Sequence, residues 1–225
     1  MTMQQRTTGI AKAALSFLAL LVLTHRACAQ NASKVDIPGY GDKYSVFVKQ
    51  LEAGQTNIKY TEFRQSFLES EQFRASSNQK PDLGALRKTM HELMKSSKYA
   101  EVIEVANKML NIDYTDMEAH KVLRQTYKIL GDAANAKKYH DIEFGLLNSI
   151  VKKGDGKTCQ TGWPVTQIAE EYFILEMLGA KLVKQTLDNT SGLCDKMEVQ
   201  TAEGRKTYYF EVSKIFEGYN KRGIH

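Results

Sequence analysis

Glu170 and Glu171 stand side by side, with Asp155 and Asp195 at short sequence distance. Paired carboxylates are the residue type of general acid–base chemistry, and glycoside hydrolysis sets two of them across a cleft. Adjacent acids usually point apart or sit solvated, and a sequence carries no geometry to bring them together. Gly156-Lys157-Thr158 invites a phosphate-loop reading, but that motif needs a glycine where Val151 stands and should follow a strand rather than a helix. A zinc site needs three or four ligands, and Cys159 and Cys194 lack tight ligand spacing. No nucleophile elbow, metalloprotease helix or dinucleotide fingerprint is present. The residues therefore assign no catalytic group, metal or cofactor, and catalysis is disfavoured. Arg64 lies among Tyr60, Phe63 and Phe67, where a guanidinium pairs, stacks or binds a ligand.

These residues must be positioned by helices first. From about Leu83 to Val151 the chain reads as three amphipathic helices. Val102, Ile103, Ala106, Met109 and Leu110 follow one helical face. Thr115 or Asp116 caps the next, which places Ala119, Leu123, Tyr127 and Leu130 on one stripe and stops at Gly131-Asp132. A third runs from about Ala133 to Val151, with Ala136, His140, Leu147 and Val151 near one face. Val102 and Ala136 are separated by the roughly 34 residues of a tetratricopeptide unit, as are Ala106 and His140. That register makes His140 a core histidine. Fewer than two full units are visible, where arrays of this kind need about three, so the helices must bury a face on something else.

That something follows Val151. Gly154-Asp155-Gly156 is a turn. Trp163 to Ile168 reads as a strand, Glu170 to Leu178 as a short helix ending at Gly179, and Lys181 to Leu187 as a strand. Met197–Thr201 and Thr207–Val212 form the clearest hairpin, and Ser213 caps a last helix. Ahead of the centre, Tyr44–Leu51 and Tyr60–Ser70 are short helices and 74–82 is a loop, with Pro81-Asp82 opening the next helix. The expected fold is α+β. Tetratricopeptide-like helical hairpins over 43–153 pack with a small C-terminal antiparallel sheet over 160–220, as a single domain spanning 43–220.

Residues 1–29 read as a signal peptide: Arg6 and Lys12, an apolar run from Ala13 to Leu23, and Ala27-Cys28-Ala29 as the cleavage site before Gln30. Residues 30–42 are a polar, flexible lead-in. The chain is thus expected in the periplasm or outside the cell, with no membrane span after cleavage. The whole sequence carries a net charge of +5, but its first 29 residues hold three bases and no acid, which leaves +2 for the remainder. No Lys/Arg cluster stands out, so nucleic acid is not an expected partner. Cys159 and Cys194 survive cleavage and can form a disulfide in an oxidising compartment. Asn31-Ala-Ser33 and Asn189-Thr-Ser191 match the glycosylation sequon, which has no meaning in a bacterium.

In order, the chain carries Tyr60-x-x-Phe-Arg-x-x-Phe-x-Glu-Ser70, Phe73, Glu118-Ala-His120, Gly131-Asp132 and His140. Gly145-Leu-Leu-x-Ser-Ile150, Gly154-Asp-Gly156, Glu170-Glu-Tyr172 and Leu178-Gly179 follow, then Gln185-x-Leu187, Asp195 and Tyr209-Phe210. This set resembles the uncharacterised bacterial family catalogued as domain of unknown function 4919, over roughly 42–220. Phe67 stands where that family often has Tyr, and the two cysteines are particular to this chain. The resemblance implies an exported envelope protein and supplies no reaction. The expected function is a non-enzymatic module that binds a protein or peptide of the envelope, with a small hydrolase of envelope sugar or peptide as the alternative. Arg64, His140, Asp155, Glu170 and Glu171 are the candidate cleft residues.

Overall fold

The computed structural model describes residues 34–79 and 81–221, the last three by backbone alone. The expected signal peptide and its cleavage site lie outside these residues. The fold is α+β. Helices α1 (Lys43–Glu52), α2 (Tyr60–Glu69), α3 (Glu71–Gln79), α4 (Leu83–Lys95), α5 (Tyr99–Ile112), α6 (Met117–Ile129) and α7 (Ala133–Val151) come first. Strand β1 (Trp163–Pro164), helix α8 (Ile168–Met177), strands β2 (Lys181–Asp188), β3 (Cys194–Thr201) and β4 (Gly204–Glu211), and helix α9 (Ser213–Lys221) follow. No described helix is long and apolar enough to cross a membrane.

Four helices, not three, occupy the stretch from Leu83 to Val151. Successive helices pack as neighbours because their connections are short and well capped. Asp82, Asp116 and Asp132 each accept a backbone N–H of the following first turn, and Gly131 takes the left-handed conformation, φ +74°, that ends α6. The expected faces of α5 and α6 are buried at Val102, Ile103, Ala106, Met109, Leu110, Ala119, Leu123 and Tyr127.

The expected face of α7 is one residue out. Tyr139, Ile142, Leu146 and Ile150 are buried, whereas Ala136, Leu147 and Val151 are only partly so and His140 is exposed. The buried stripe carries larger side chains than the one starting at Ala136, and more apolar area leaves water when it faces inward. Tyr139 stacks on Tyr127 with ring centroids 5.6 Å apart. The core histidine is His120, fully buried, its Nε2 donating to the Tyr114 carbonyl at 2.7 Å.

Residues 74–79, expected as loop, belong to α3. Only Phe73 is buried there, so no apolar period marks the helix. Ser70 Oγ accepts from Phe73 N at 3.0 Å as a cap, and Phe73 meets Phe67 edge-on. Residues 34–42 contain no helix or strand, yet Val35 is buried and Asp36 N donates to Asn111 at 2.8 Å.

The sheet order is β1-β4-β3-β2. It is mixed rather than antiparallel, because the two-residue β1 runs parallel to β4. The expected longer strand from Trp163 stops early, since α8 begins at Ile168. Along β3, Met197 and Val199 are buried toward the helices. Their register partners on the same face are Tyr208 and Lys206 of β4, with Gln185 and Leu182 of β2. The opposite face carries Lys196, Glu198, Thr207 and Lys184, the inside–outside alternation of a half-covered sheet. The Cys159 and Cys194 sulfurs are bonded and tie the loop after α7 to β3.

Candidate functional site

Helix α8 lies between the helical stack, where it meets α6, and the sheet, where it meets β2. Consecutive residues on a helix project about 100° apart, so Glu170 and Glu171 look in different directions. Both are buried, at 3 % and 0 % exposure.

Glu170 is compensated on all sides. Arg64 reaches it from α2 with Nε and one terminal nitrogen, each 2.6 Å from a carboxylate oxygen. This is the paired-fork geometry that favours arginine over lysine. Thr166 N donates to Glu170 Oε2 at 2.7 Å and Gln167 N at 3.3 Å, so the same carboxylate caps the helix it sits on. Arg64 also donates to the Pro164 carbonyl at 3.1 Å. One ion pair therefore holds α2, the start of α8 and strand β1 together.

Glu171 has no such partners. Neither of its carboxylate oxygens meets a hydrogen-bond donor. Burial first, then the nearby charge of Asp195, pushes its pKa up to about 9. A carboxyl in this position keeps its proton at neutral pH and donates it to Asp195. Asp195 Oδ2 in turn accepts from Gln185 at 2.5 Å, and Gln185 Oε1 accepts from the Tyr172 hydroxyl at 3.0 Å. A polar chain thus runs from exposed Tyr172 inward to a sealed, neutral acid.

Outside Glu170 the surface is concave. One lobe of about 270 Å³ is lined by Asp113, Asp116, Glu118, Glu170 and Glu176, with Arg87 as its basic residue and Leu83, Met117 and Phe173 as its apolar wall. A second lobe of about 380 Å³ is walled by Phe67, Phe73, Ile112, Ile168 and Ile215. Leu83, Asp113, Gln167 and Ala169 line both, so the lobes form one groove. Asp113 sits at their junction. It accepts from Thr115 N at 2.8 Å and from Gln167 at 2.9 Å. Burial is the largest influence on its carboxyl and, with the neighbouring Asp116 charge, lifts its pKa to about 7 against the hydrogen bonds that lower it. Arg87 pairs with Asp116 at 2.7 Å and also with Glu118, and Lys121 pairs with Glu176 at 2.5 Å.

Of the five candidate residues, the structure brings together Arg64 and Glu170, and places Glu171 behind them. Asp155 and His140 are elsewhere. Asp155 is exposed and accepts from Lys157 N and the Thr161 hydroxyl. Its glycines serve packing: Trp163 Nε1 donates to the Gly154 carbonyl at 3.1 Å, and a Cβ on Gly156 would lie 2.8 Å from the Trp163 ring. His140 is exposed on α7 against Asp141 and Phe144. The groove residues Asp113, Asp116 and Gln167 drew no functional expectation. Glu170 reaches back to Gln167 N at the start of α8, but glutamine is not among the usual N-cap residues and this stretch reads as a strand, so no local signal marked where the groove floor begins. Among the described residues no group of three or more His, Cys, Asp or Glu is arranged to hold a metal ion.

The site defines an α+β protein with a groove at the junction of α8 and the helical stack. The family model of a domain of unknown function (DUF4919) matches residues 44–221, and the chain belongs to that family. No curated protein and no solved structure matches it.

Proposed function

We propose that the chain is an exported, non-enzymatic binding module whose junction groove takes an extended polypeptide segment carrying a cationic side chain beside apolar ones. The carrying observation is the division of the groove's lining. Five acids line the first lobe against three bases, Arg87 within it and Arg64 and Lys121 paired with Glu170 and Glu176; an apolar wall forms the second lobe, and a shared floor at Ala169 joins them. A lysine or arginine fits the first lobe by charge, and a neighbouring apolar side chain fits the second. The leader-like pattern of residues 1–29 supports export, which fractionation with N-terminal sequencing tests.

Binding is tested by fluorescence anisotropy with a labelled peptide alternating leucine and lysine, against a leucine–glutamate control. Ala169 is exposed, so Ala169→Trp fills the groove without disturbing the core. The variant is expected to weaken the lysine peptide by about tenfold or more, roughly 1.4 kcal/mol, with an unchanged urea midpoint. Because Asp113 titrates near 7, affinity should rise from pH 6 to 8, and Asp113→Asn should flatten that rise. Equal binding of both peptides, or no effect of Ala169→Trp, would overturn the reading.

The hydrolase reading has one observation in its favour, the proton held by Glu171 beside Asp195. Donor and acceptor carboxyls in that state are what acid–base chemistry uses. Glu171 lines neither lobe and its oxygens are sealed from solvent, so the reading stands second.

A further inference from the structure

The two ends of the sheet are finished differently. β1 ends it with two residues, too short to offer a ladder. β2 ends it with eight, and from Val183 to Leu187 every residue is exposed. A long open edge is a template for another strand. Around this edge lie exposed apolar side chains: Val183 and Leu187 on β2, Tyr172 and Met177 on the adjoining α8, and Leu178 at its end, at 41–52 % exposure. That is more apolar surface than an unpaired edge needs.

We infer that β2 pairs antiparallel with β2 of a second copy of this chain, about a two-fold axis at Gln185, joining two four-stranded sheets into one. The register follows from side-chain faces. β2 has an irregularity between Leu182 and Lys184 that skips Val183 in its pairing with β3. Leu182, Gln185 and Leu187 therefore share the helix-side face, while Lys181, Lys184, Thr186 and Asp188 share the other. With Gln185 opposite its own copy, Lys184 meets Thr186, Leu182 meets Leu187 and Lys181 meets Asp188 of the second copy. Every pair joins residues of one face, and the symmetry makes each occur twice. Without the bulge, Lys181 and Asp188 would fall on opposite faces and this full-length pairing would be impossible. The charge match at the strand ends is the complementarity that selects a second copy over another edge. Bulges and edge lysines also serve to keep edges unpaired, and the experiment distinguishes the two uses.

Sedimentation of the full chain over a concentration series should show a monomer–dimer equilibrium. Lys181→Asp places like charges at both strand ends and should weaken the dimer by roughly tenfold, since two cross-strand pairs turn from attractive to repulsive. Asp188→Lys should do the same, and the double exchange Lys181→Asp/Asp188→Lys should restore association. Leu187→Lys, at an exposed position, should abolish the dimer while leaving the urea midpoint unchanged when compared with the parent at a concentration where the parent is monomeric. A monomer at every concentration would overturn the inference. So would a dimer indifferent to the single charge changes, or one that both single changes weaken and the double exchange does not restore.

Discussion

Glu170 and Glu171 are neighbours on one helix turn, equally withdrawn from water, and the protein handles them in opposite ways. Glu170 is met by an arginine fork, a backbone N–H and a hydroxyl. Glu171 is met by no donor at all and keeps its proton. A buried carboxyl can be held charged by surrounding it with donors, or neutral by withholding them. The first arrangement spends many groups on one position and ties three elements together. The second uses the proton itself as the bond to Asp195. The difference separates architecture from groove. Helix α8 is fixed on its inner sides by both acids, which leaves its outer residues, Ala169 and Glu176, free to line a surface.

The contrast breaks most severely at Arg64. Arg64→Met leaves Glu170 buried and unpaired, and is expected to destabilise the fold by about 3–5 kcal/mol, read from urea unfolding. Replacing both partners, Arg64→Met with Glu170→Leu, should recover much of that loss, because no uncompensated charge remains. Recovery with weakened lysine-peptide binding would show that the pair serves shape and its acid serves the groove.

Glu171 gives a smaller effect with a distinctive pH dependence. Its folded pKa is raised from 4.5 to about 9, so between those values the folded state holds a proton that the unfolded state has lost. Stability from this group is then fully present below about pH 4.5 and falls as pH rises toward 9. Glu171→Gln keeps a donor and removes the titration. The variant should be more stable than the parent at pH 8, by on the order of 1–3 kcal/mol, with the advantage fading toward pH 4.5. His120 works against this slope on the acid side. Burial lowers its pKa to about 3, so its contribution grows as pH rises from about 3 to its unfolded value of 6.5 and is level above that. The Glu171 trend is cleanest above that point.

The sequence made α5, α6 and the β3–β4 hairpin legible through their one-sided apolar patterns, and the end of α8 through its glycine stop at Gly179, while the start of α8 at Ile168 lay within the expected strand from Trp163. It hid α3, in which only Phe73 is buried and whose further ties to α5 are polar, Gln72 and Ser76 donating to the Asn111 and Ile112 carbonyls. It misplaced the face of α7, where two apolar stripes compete and side-chain volume decided between them. Arg64 was readable as a paired guanidinium, but its partner lies 106 residues away, beyond any local pattern. Glu170 and Glu171 were visible as chemistry, while their division of labour was not, since it depends on which donors the fold delivers to each. Asp155 and His140 carry polar groups in motif-like settings, and in both the local turn or helix surface absorbs them.

The most direct measurement of this division is a carbon-13 NMR titration of the Glu171 side-chain carboxyl, assigned through Glu171→Gln. The expected midpoint is near 9, and Asp195→Asn should lower it by removing both the neighbouring charge and the acceptor of the shared proton. A midpoint between 4 and 5, unmoved by Asp195→Asn, would mean that Glu171 is solvated or paired like its neighbour, and would contradict the account of how α8 is held.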